Sequence, residues 1–434
     1  MSKLAILGGT PVRSHPLPGY RTIGAEEQLA VEQVLASGAL SRYLGCWGEM
    51  FMGGPQVRAL EEEWSAHFGA RHAIAVNSCT SGLMCAIGAV GIEPGDEVIV
   101  PPYTMSATVM APLIYGGIPI FADVCPQTFC IDAESIQKKI TPRTKAIMAV
   151  DLFGHPYNAP IINALAQKHG LRVIEDCAQA PGARLHQRYA GCLGDVGVFS
   201  LNYHKHIHSG EGGVVVTDDD DLADRVRLIR NHGESVAEGK GVKNLVNLVG
   251  FNFRMTEIEA AIARCQLRKL DNVNALRLEN VHKLERALAN IPAITLPVVH
   301  QGAQHVYYVH ACLFDEQMAG IHRNRFVAAV AAELPVFQGR EAEGVKISSG
   351  YVRPLYLLPL FQQRIAFGSQ GFPFSLSPPE AQLTYAKGIC PVTEQLHEHK
   401  LFLHEFIHPL MEEQDLLDVI HAFEKVWENR KDLL

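Results

Sequence analysis

Between residues 72 and 217 the chain alternates short apolar runs with helical stretches, and that rhythm admits few folds. The runs are Ala73–Val76, Glu97–Val100, Ile118–Phe121, Lys145–Val150, Arg172–Glu175, Val196–Ser200 and Gly213–Thr217. Short, largely apolar runs fit strands buried on both faces. The stretches between them are helical, among them one opening near Thr104, a polar one from Asp132 and one over residues 161–168. Strands separated by helices predict an α/β domain: a mostly parallel, seven-stranded type of sheet flanked by helices.

The flanking segments read differently. An irregular N-terminal arm carries Gly8, Gly9, Pro11, Pro16 and Pro18 before a helix over Ala25–Ala36. After Thr217 the pattern becomes helical. Thr256, with Glu259 three residues on, forms a capping-box signature ahead of Ile258, Ala261, Ile262 and Cys265 at helical spacing. Pro292 ends that region. A strand over Val306–Cys312, a helix near Asn324–Glu333 and an amphipathic last helix with Leu416, Val419, Ile420, Phe423 and Trp427 follow. The organisation expected is a large domain over 1–292, including the arm, and a smaller α+β domain over 293–434.

Composition narrows the classes. The net charge of −8 and the absence of a basic run argue against a general nucleic-acid binder. Ten cysteines with no CxxC pair read as small buried hydrophobes in a reducing compartment. Val98–Ala122 is uncharged and long enough to span a bilayer, but four prolines and a Gly-Gly pair make it strand, helix and strand instead. A cytoplasmic protein with no membrane partner is expected.

Three segments at strand ends carry chemistry, where open α/β sheets bind ligands. Asn77-Ser78-Cys79-Thr80-Ser81-Gly82 places small hydroxyls and free N–H groups at a helix start, suited to a phosphate or to plain capping. Val173-Ile174-Glu175-Asp176 drives carboxylates to a buried strand end, which is costly without a partner. Ser200-Leu201-Asn202-Tyr203-His204-Lys205, closed by Gly210-Glu211-Gly212-Gly213, puts a lysine in a glycine-flanked loop. A shielded lysine can form a Schiff base with a carbonyl cofactor.

In combination and order these motifs resemble the DegT–StrS family of pyridoxal-phosphate sugar aminotransferases, of the aspartate-aminotransferase fold type. The resemblance runs from Met52-Gly53-Gly54 to Gly250-Phe251-Asn252-Phe253-Arg254-Met255-Thr256-Glu257 and includes the serine five residues before Lys205. It implies that Lys205 holds pyridoxal 5′-phosphate and moves the proton, and that Asp176 faces the pyridine nitrogen. Gln179 then neighbours the ring hydroxyl, and Thr80, Ser81 and Ser200 hold the phosphate. Asn252 reaches the phosphate of a neighbouring subunit, hence a homodimer with shared sites. The family's aromatic stacking position is occupied by Met105, in Pro101-Pro102-Tyr103-Thr104-Met105, where a thioether can pack on the ring.

The activity so implied is ping-pong transfer of an amino group from glutamate or glutamine to a ketosugar or keto-cyclitol, in amino-sugar biosynthesis. Ile6–Arg13 and the Leu403-His404-Glu405 segment resemble the branch acting on free or phosphorylated acceptors rather than nucleotide-linked ones. No metal is expected. Three rival patterns stand beside this. His404-Glu405-Phe406-Ile407-His408 is a literal HExxH zinc-protease motif. His204, His206 and His208 alternate as ligands on a strand would. A dehydratase of the same fold has histidine in place of the lysine, whereas counting five residues from Ser200 and five back from Gly210 lands on Lys205 both times.

Overall fold

The structure, a computed structural model, describes residues 3–379 and 383–434. Its centre is a seven-stranded sheet of β1 (His72–Val76), β2 (Glu97–Val100), β3 (Ile118–Phe121), β4 (Thr144–Val150), β5 (Arg172–Asp176), β6 (Val196–Ser200) and β7 (Gly213–Thr217). The spatial order is β1-β7-β6-β5-β4-β2-β3. All neighbours are parallel except β7, which runs antiparallel to both β1 and β6. Apolar side chains fill both faces, as unbroken apolar runs require. Ile74, Val98, Met148 and Val198 enter one cluster, while Ile99, Ile147 and Val173 enter another.

Helices cover the sheet: α1 (Ala25–Ser37), α2 (Pro55–Phe68), α3 (Cys79–Ala89), α4 (Ala107–Ile114), α5 (Ala133–Lys139), α6 (Ala159–His169) and α7 (Asp220–Arg230). The cap expected of α8 (Glu257–Leu267) is in place, and α5 is capped as well. Asp132 accepts from Ser135 N, and Thr256 and Glu259 form a reciprocal box. The helical region after Thr256 is two helices, because α8 stops and α9 (Leu270–Leu288) starts afresh. At the break the Lys269 ammonium turns to Thr22 O and Glu27, tying the arm to the junction.

A second, antiparallel sheet orders β8 (Ile294–Thr295), β9 (His310–Phe314), β11 (Leu401–His404) and β10 (Ile347–Ser349). The strand expected over Val306–Cys312 thus begins four residues later. Val306 N and Tyr308 N instead bond Gly154 O and Phe153 O, back on the large sheet's side. The sheet's face is closed by α10 (Arg323–Glu333) and α11 (Glu413–Glu428). Leu416, Val419, Phe423 and Val426 of α11 share one core with Phe326, Phe402 and with Val281, Leu284 and Leu288 of α9. Truncating a fully buried aromatic such as Phe423 to alanine costs about 3–5 kcal/mol. Among the described residues no helix is long and apolar enough to cross a membrane.

Candidate active site

The functional side chains gather where β4, β5 and β6 end and α3 begins. Asp176, the last residue of β5, is buried. One carboxylate oxygen accepts from Thr108 Oγ1 on α4 at 2.7 Å, the other from Ala178 N at 3.1 Å. Burial pushes this carboxyl above its ordinary range, while the Thr108 hydroxyl, the Ala178 N–H and the Lys205 charge pull it back. Asp176 is therefore held in one orientation by neutral donors, with its charge left for a cation.

Lys205 lies in the turn after β6, closed by its own N–H on Asn202 O at 2.9 Å. Its Nζ stands 4.4 Å from the Tyr308 ring centroid, and no carboxylate among the described residues lies within salt-bridge distance of it. A cation over an aromatic face is stabilised without being neutralised. Gln179 is buried as well. Its Oε1 accepts from Phe153 N at 2.8 Å, and its Nε2 points to the Tyr351 hydroxyl at 3.4 Å. Phe153 holds a left-handed conformation, φ 59°, that costs about 1 kcal/mol or more for a residue with a side chain. Both of its backbone groups are used, because Phe153 O accepts from Tyr308 N at 2.7 Å. One strained residue thus sets both Gln179 and the ring beneath Lys205. Burial pushes the Tyr351 hydroxyl up to about 12, and the charges of Lys205 and Asp176 both act on it.

The start of α3 supplies the anion end. Ser78 caps it, accepting from Ser81 N at 3.1 Å and lying 2.9 Å from Ser81 Oγ. The first-turn N–H groups of Cys79 and Thr80 have no intrahelical acceptor, and they carry the positive end of the helix dipole. Burial pushes the Cys79 thiol at this helix start well up, and the Asp176 and Lys205 charges act on it in opposite senses. A Cβ on Gly213 would lie 2.7 Å from Cys79 N, so only glycine lets β7 pass this close. Ser200, paired with Gly213, stands at the same end, its hydroxyl accepting from Asn202 N at 3.3 Å.

Two further expected residues turn their side chains to other partners. Asn252 is exposed. Its Oδ1 accepts from Arg254 Nε at 2.7 Å, and its backbone bridges Asn231 and receives Asn77 Nδ2 at 3.5 Å. Met105 is 55% exposed, with its sulfur turned onto Ala107 N at 3.1 Å. Tyr103 is fully buried, and its hydroxyl accepts from Tyr351 N at 2.6 Å, so its ring belongs to the scaffold.

With this geometry in view, the comparison with known proteins is specific. Residues 22–424 match the DegT/DnrJ/EryC1/StrS aminotransferase family. The chain belongs to that family. It is 33% identical over 417 residues to the spore coat polysaccharide biosynthesis protein SpsC of Bacillus subtilis, covering 94% of this chain and 97% of SpsC. It superimposes on DesI, solved in the presence of its TDP-sugar product, with a TM-score of 0.80 at 29% identity, over 99% of this chain and 97% of DesI. It superimposes on NtdA of Bacillus subtilis, solved with bound cofactor PMP, with a TM-score of 0.73 at 27% identity, over 94% and 83%. The chain is thus an aminotransferase, of a family that depends on pyridoxal phosphate.

In this aminotransferase the rival motifs dissolve into structure. His404 ends strand β11 rather than lying on a helix, and its Nε2 meets His310 Nδ1 at 2.9 Å. His408 bonds Pro18 O at 2.9 Å, and Glu405 pairs with Arg340 at 2.6 Å, so HExxH has no shared face. His204, His206 and His208 lie in a turn and part company, His206 buried on Val306 O and His208 N on Gln266. The described residues do group Glu316, His322 and His399. There His322 Nδ1 accepts from Asn324 N, which leaves the proton on Nε2 to face Glu316 at 3.3 Å, as a helix cap does. Thr108, Tyr308, Tyr351 and Phe153 were not foreseen. No local motif marks them, since each reaches the site from a different segment.

Proposed function

We propose that this aminotransferase binds pyridoxal 5′-phosphate on Lys205 and transfers an amino group from glutamate or glutamine to a ketosugar or keto-cyclitol. The observation that carries the reading is the convergence of an unpaired lysine, an oriented buried aspartate and a free helix N-terminus. That donor set fits a cofactor with a carbonyl, a basic ring nitrogen and a phosphate. When bound, the cofactor supplies the carbonyl that takes up the amino group and a ring that accepts electron density. Cys79 N, Thr80 and Ser81, with Ser200, would hold the phosphate. Asp176, oriented by Thr108, would keep a proton on the ring nitrogen, and Gln179 would fix the ring hydroxyl. Lys205 Nζ would carry the proton between the substrate carbon and the cofactor's reactive carbon. Burial of Asp176 and Gln179, beside the half-buried Tyr351, keeps water from that proton.

A cleft of about 530 Å³ opens along the lysine loop, lined by the arm (Gly19–Ile23), by Tyr203, His204 and His208, and by Gln338, Gly339, Arg340 and Glu343. It offers Tyr20, Arg21, Tyr203 and His204 to an acceptor with many hydroxyls or an anionic group, while Arg340 is already held by Glu343 and Glu405. SpsC and DesI, by their own descriptions, belong to polysaccharide and sugar chemistry, which supports a sugar-like acceptor. The preferred acceptors are free or phosphorylated ketosugars and inososes. They should re-oxidise the aminated cofactor form faster than nucleotide-linked ketosugars do. The opposite order would overturn that preference.

The homodimer with shared sites has its own support. Leu44, Trp47, Met50, Leu245 and Val249 are exposed apolar residues. Asn231, the bridge partner of Asn252, bonds Leu44 O and Phe51 O, and Lys240 stands over Trp47. An apolar strip therefore borders Asn252, where a second copy would cover it.

A further inference from the structure

Of the three histidines that surround Lys205 in sequence, only His206 is buried, and it does not line the cleft. Its ring makes a single hydrogen bond. Nε2 lies 3.1 Å from Val306 O, and a carbonyl oxygen only accepts, so the ring proton sits on Nε2. Nδ1 is buried without a partner. Burial first, and then the Arg277 and Lys205 charges, keep the ring neutral. A buried polar ring with one acceptor left unmade costs stability, so its place next to the lysine calls for a reason.

The reason lies in the segment that Val306 belongs to. Val306 N donates to Gly154 O and Tyr308 N to Phe153 O, so the end of β4 holds this segment on one side. On the other side Val306 O takes the His206 bond, and the His206 ring centroid stands 6.2 Å from that of Tyr308. The Tyr308 ring is the group that faces Lys205 Nζ. The His206 carbonyl meanwhile accepts from the Tyr20 hydroxyl of the arm. The lysine loop, the arm and the Tyr308 segment thus meet at one residue. The turn's own bond, Lys205 N on Asn202 O, sets the loop's shape but not its distance from a ring that comes from another part of the chain. A cation keeps the benefit of an aromatic face only while the two stay within about 6 Å.

We propose that His206 is a positioning residue for Lys205: its Nε2–H bond to Val306 O keeps the Tyr308 ring beneath the lysine and so fixes where Nζ lies. The proposal rests on Lys205 being the cofactor's lysine, and its main test runs on the full-length chain without cofactor, so that the two can fail separately. Trace acetylation of Lys205 at neutral pH is followed by mass spectrometry in wild type, His206→Leu, His206→Gln and Tyr308→Leu. Without the ring beneath it the amine is freer to take its neutral, reactive form. The Lys205 rate should therefore rise roughly 3- to 30-fold in His206→Leu, the size of a lost cation–π contact, with other lysines unchanged. His206→Gln, whose amide N–H can replace the Nε2–H, should stay near wild type. Tyr308→Leu should show the same rise, and adding His206→Leu to it should change nothing more, because the bond acts through the ring. His206→Asn is too short to reach Val306 O and takes the place of the leucine variant if that one does not fold. In the loaded enzyme the same variant should slow both half-reactions while the lysine-bound cofactor band remains. Unchanged labelling in His206→Leu, equal rises in the leucine and glutamine variants, or effects that add in the double variant overturn the proposal. Absence of the band from loaded wild type overturns the Lys205 reading, and the role of His206 in the reaction falls with it.

Discussion

At the scale of single residues, the site depends on donors that hold charged groups still. Asp176 has two neutral hydrogen bonds, and the stronger in geometry comes from Thr108. A hydrogen bond to an ionised group contributes about 1.5–3 kcal/mol, so Thr108→Val should slow the donor half-reaction roughly 10-fold or more. Cofactor occupancy should change little, because the α3 contacts persist. Asp176→Ala should slow the same step further, also with the cofactor retained. Stopped-flow absorbance measures both, and wild-type rates in either variant would remove Asp176 from its proposed role. Asp176, Lys205, Gln179, Thr80 and Ser81 were legible in the sequence because each sits in a compact motif at a strand end. Thr108 was not, since a threonine inside an apolar helix looks like core filling until β5 is placed beside it. Tyr308 and Tyr351 were hidden for the same reason. They reach Lys205 and Gln179 from beyond residue 300, and chain distance carries no signal of that approach.

At the scale of elements, the ends of β4 and β5 are bound by a buried acid pair. Asp151 follows β4 and is fully buried. Its Oδ1 accepts from Tyr157 N at 2.9 Å, while its Oδ2 has no partner that donates. It faces Glu175 of β5, whose oxygens already accept from Gly191, Leu193 and Gly194 N–H. Burial first, and Glu175 second, push Asp151 well above its ordinary 3.8, which favours a proton on it. A carboxyl whose folded pKa is raised contributes stability that is full below 3.8 and is lost as pH rises through the folded value. Asp151→Asn supplies a permanent N–H in place of the proton. Its stability relative to wild type should therefore grow as pH rises above about 4, read as urea midpoints across that range. A difference independent of pH would show that Asp151 holds no proton. The strands themselves were plain from sequence, since β2, β3, β6 and β7 fall where their apolar runs lie. The antiparallel direction of β7 and the late start of β9 were not, because an apolar run records burial and not direction. The residues before β9 owe their shape to Phe153 and Gly154, far back in the chain.

At the scale of the molecule, one chain brings Lys205 and Asp176 to the same end of the large sheet but leaves Asn252 beside an exposed apolar strip. The proposed dimer joins the two. Mixing inactive Lys205→Ala and Asn252→Ala protomers should restore part of the activity through hybrid dimers, and Trp47→Glu should shift sedimentation toward monomer. Full activity of a monomer would end this arrangement. Fold class was readable because alternation of strand and helix fixes layers, whereas the acceptor was not, because the cleft is assembled from the arm, the lysine loop and residues 338–343. The central claim is that Lys205 carries the cofactor, and one measurement addresses it directly. Borohydride reduction of the pyridoxal-phosphate-loaded enzyme, followed by proteolysis and mass spectrometry, should place the reduced cofactor on the peptide containing Lys205 and on no other. Label on a different lysine, or an enzyme that transaminates after Lys205→Ala, would contradict it.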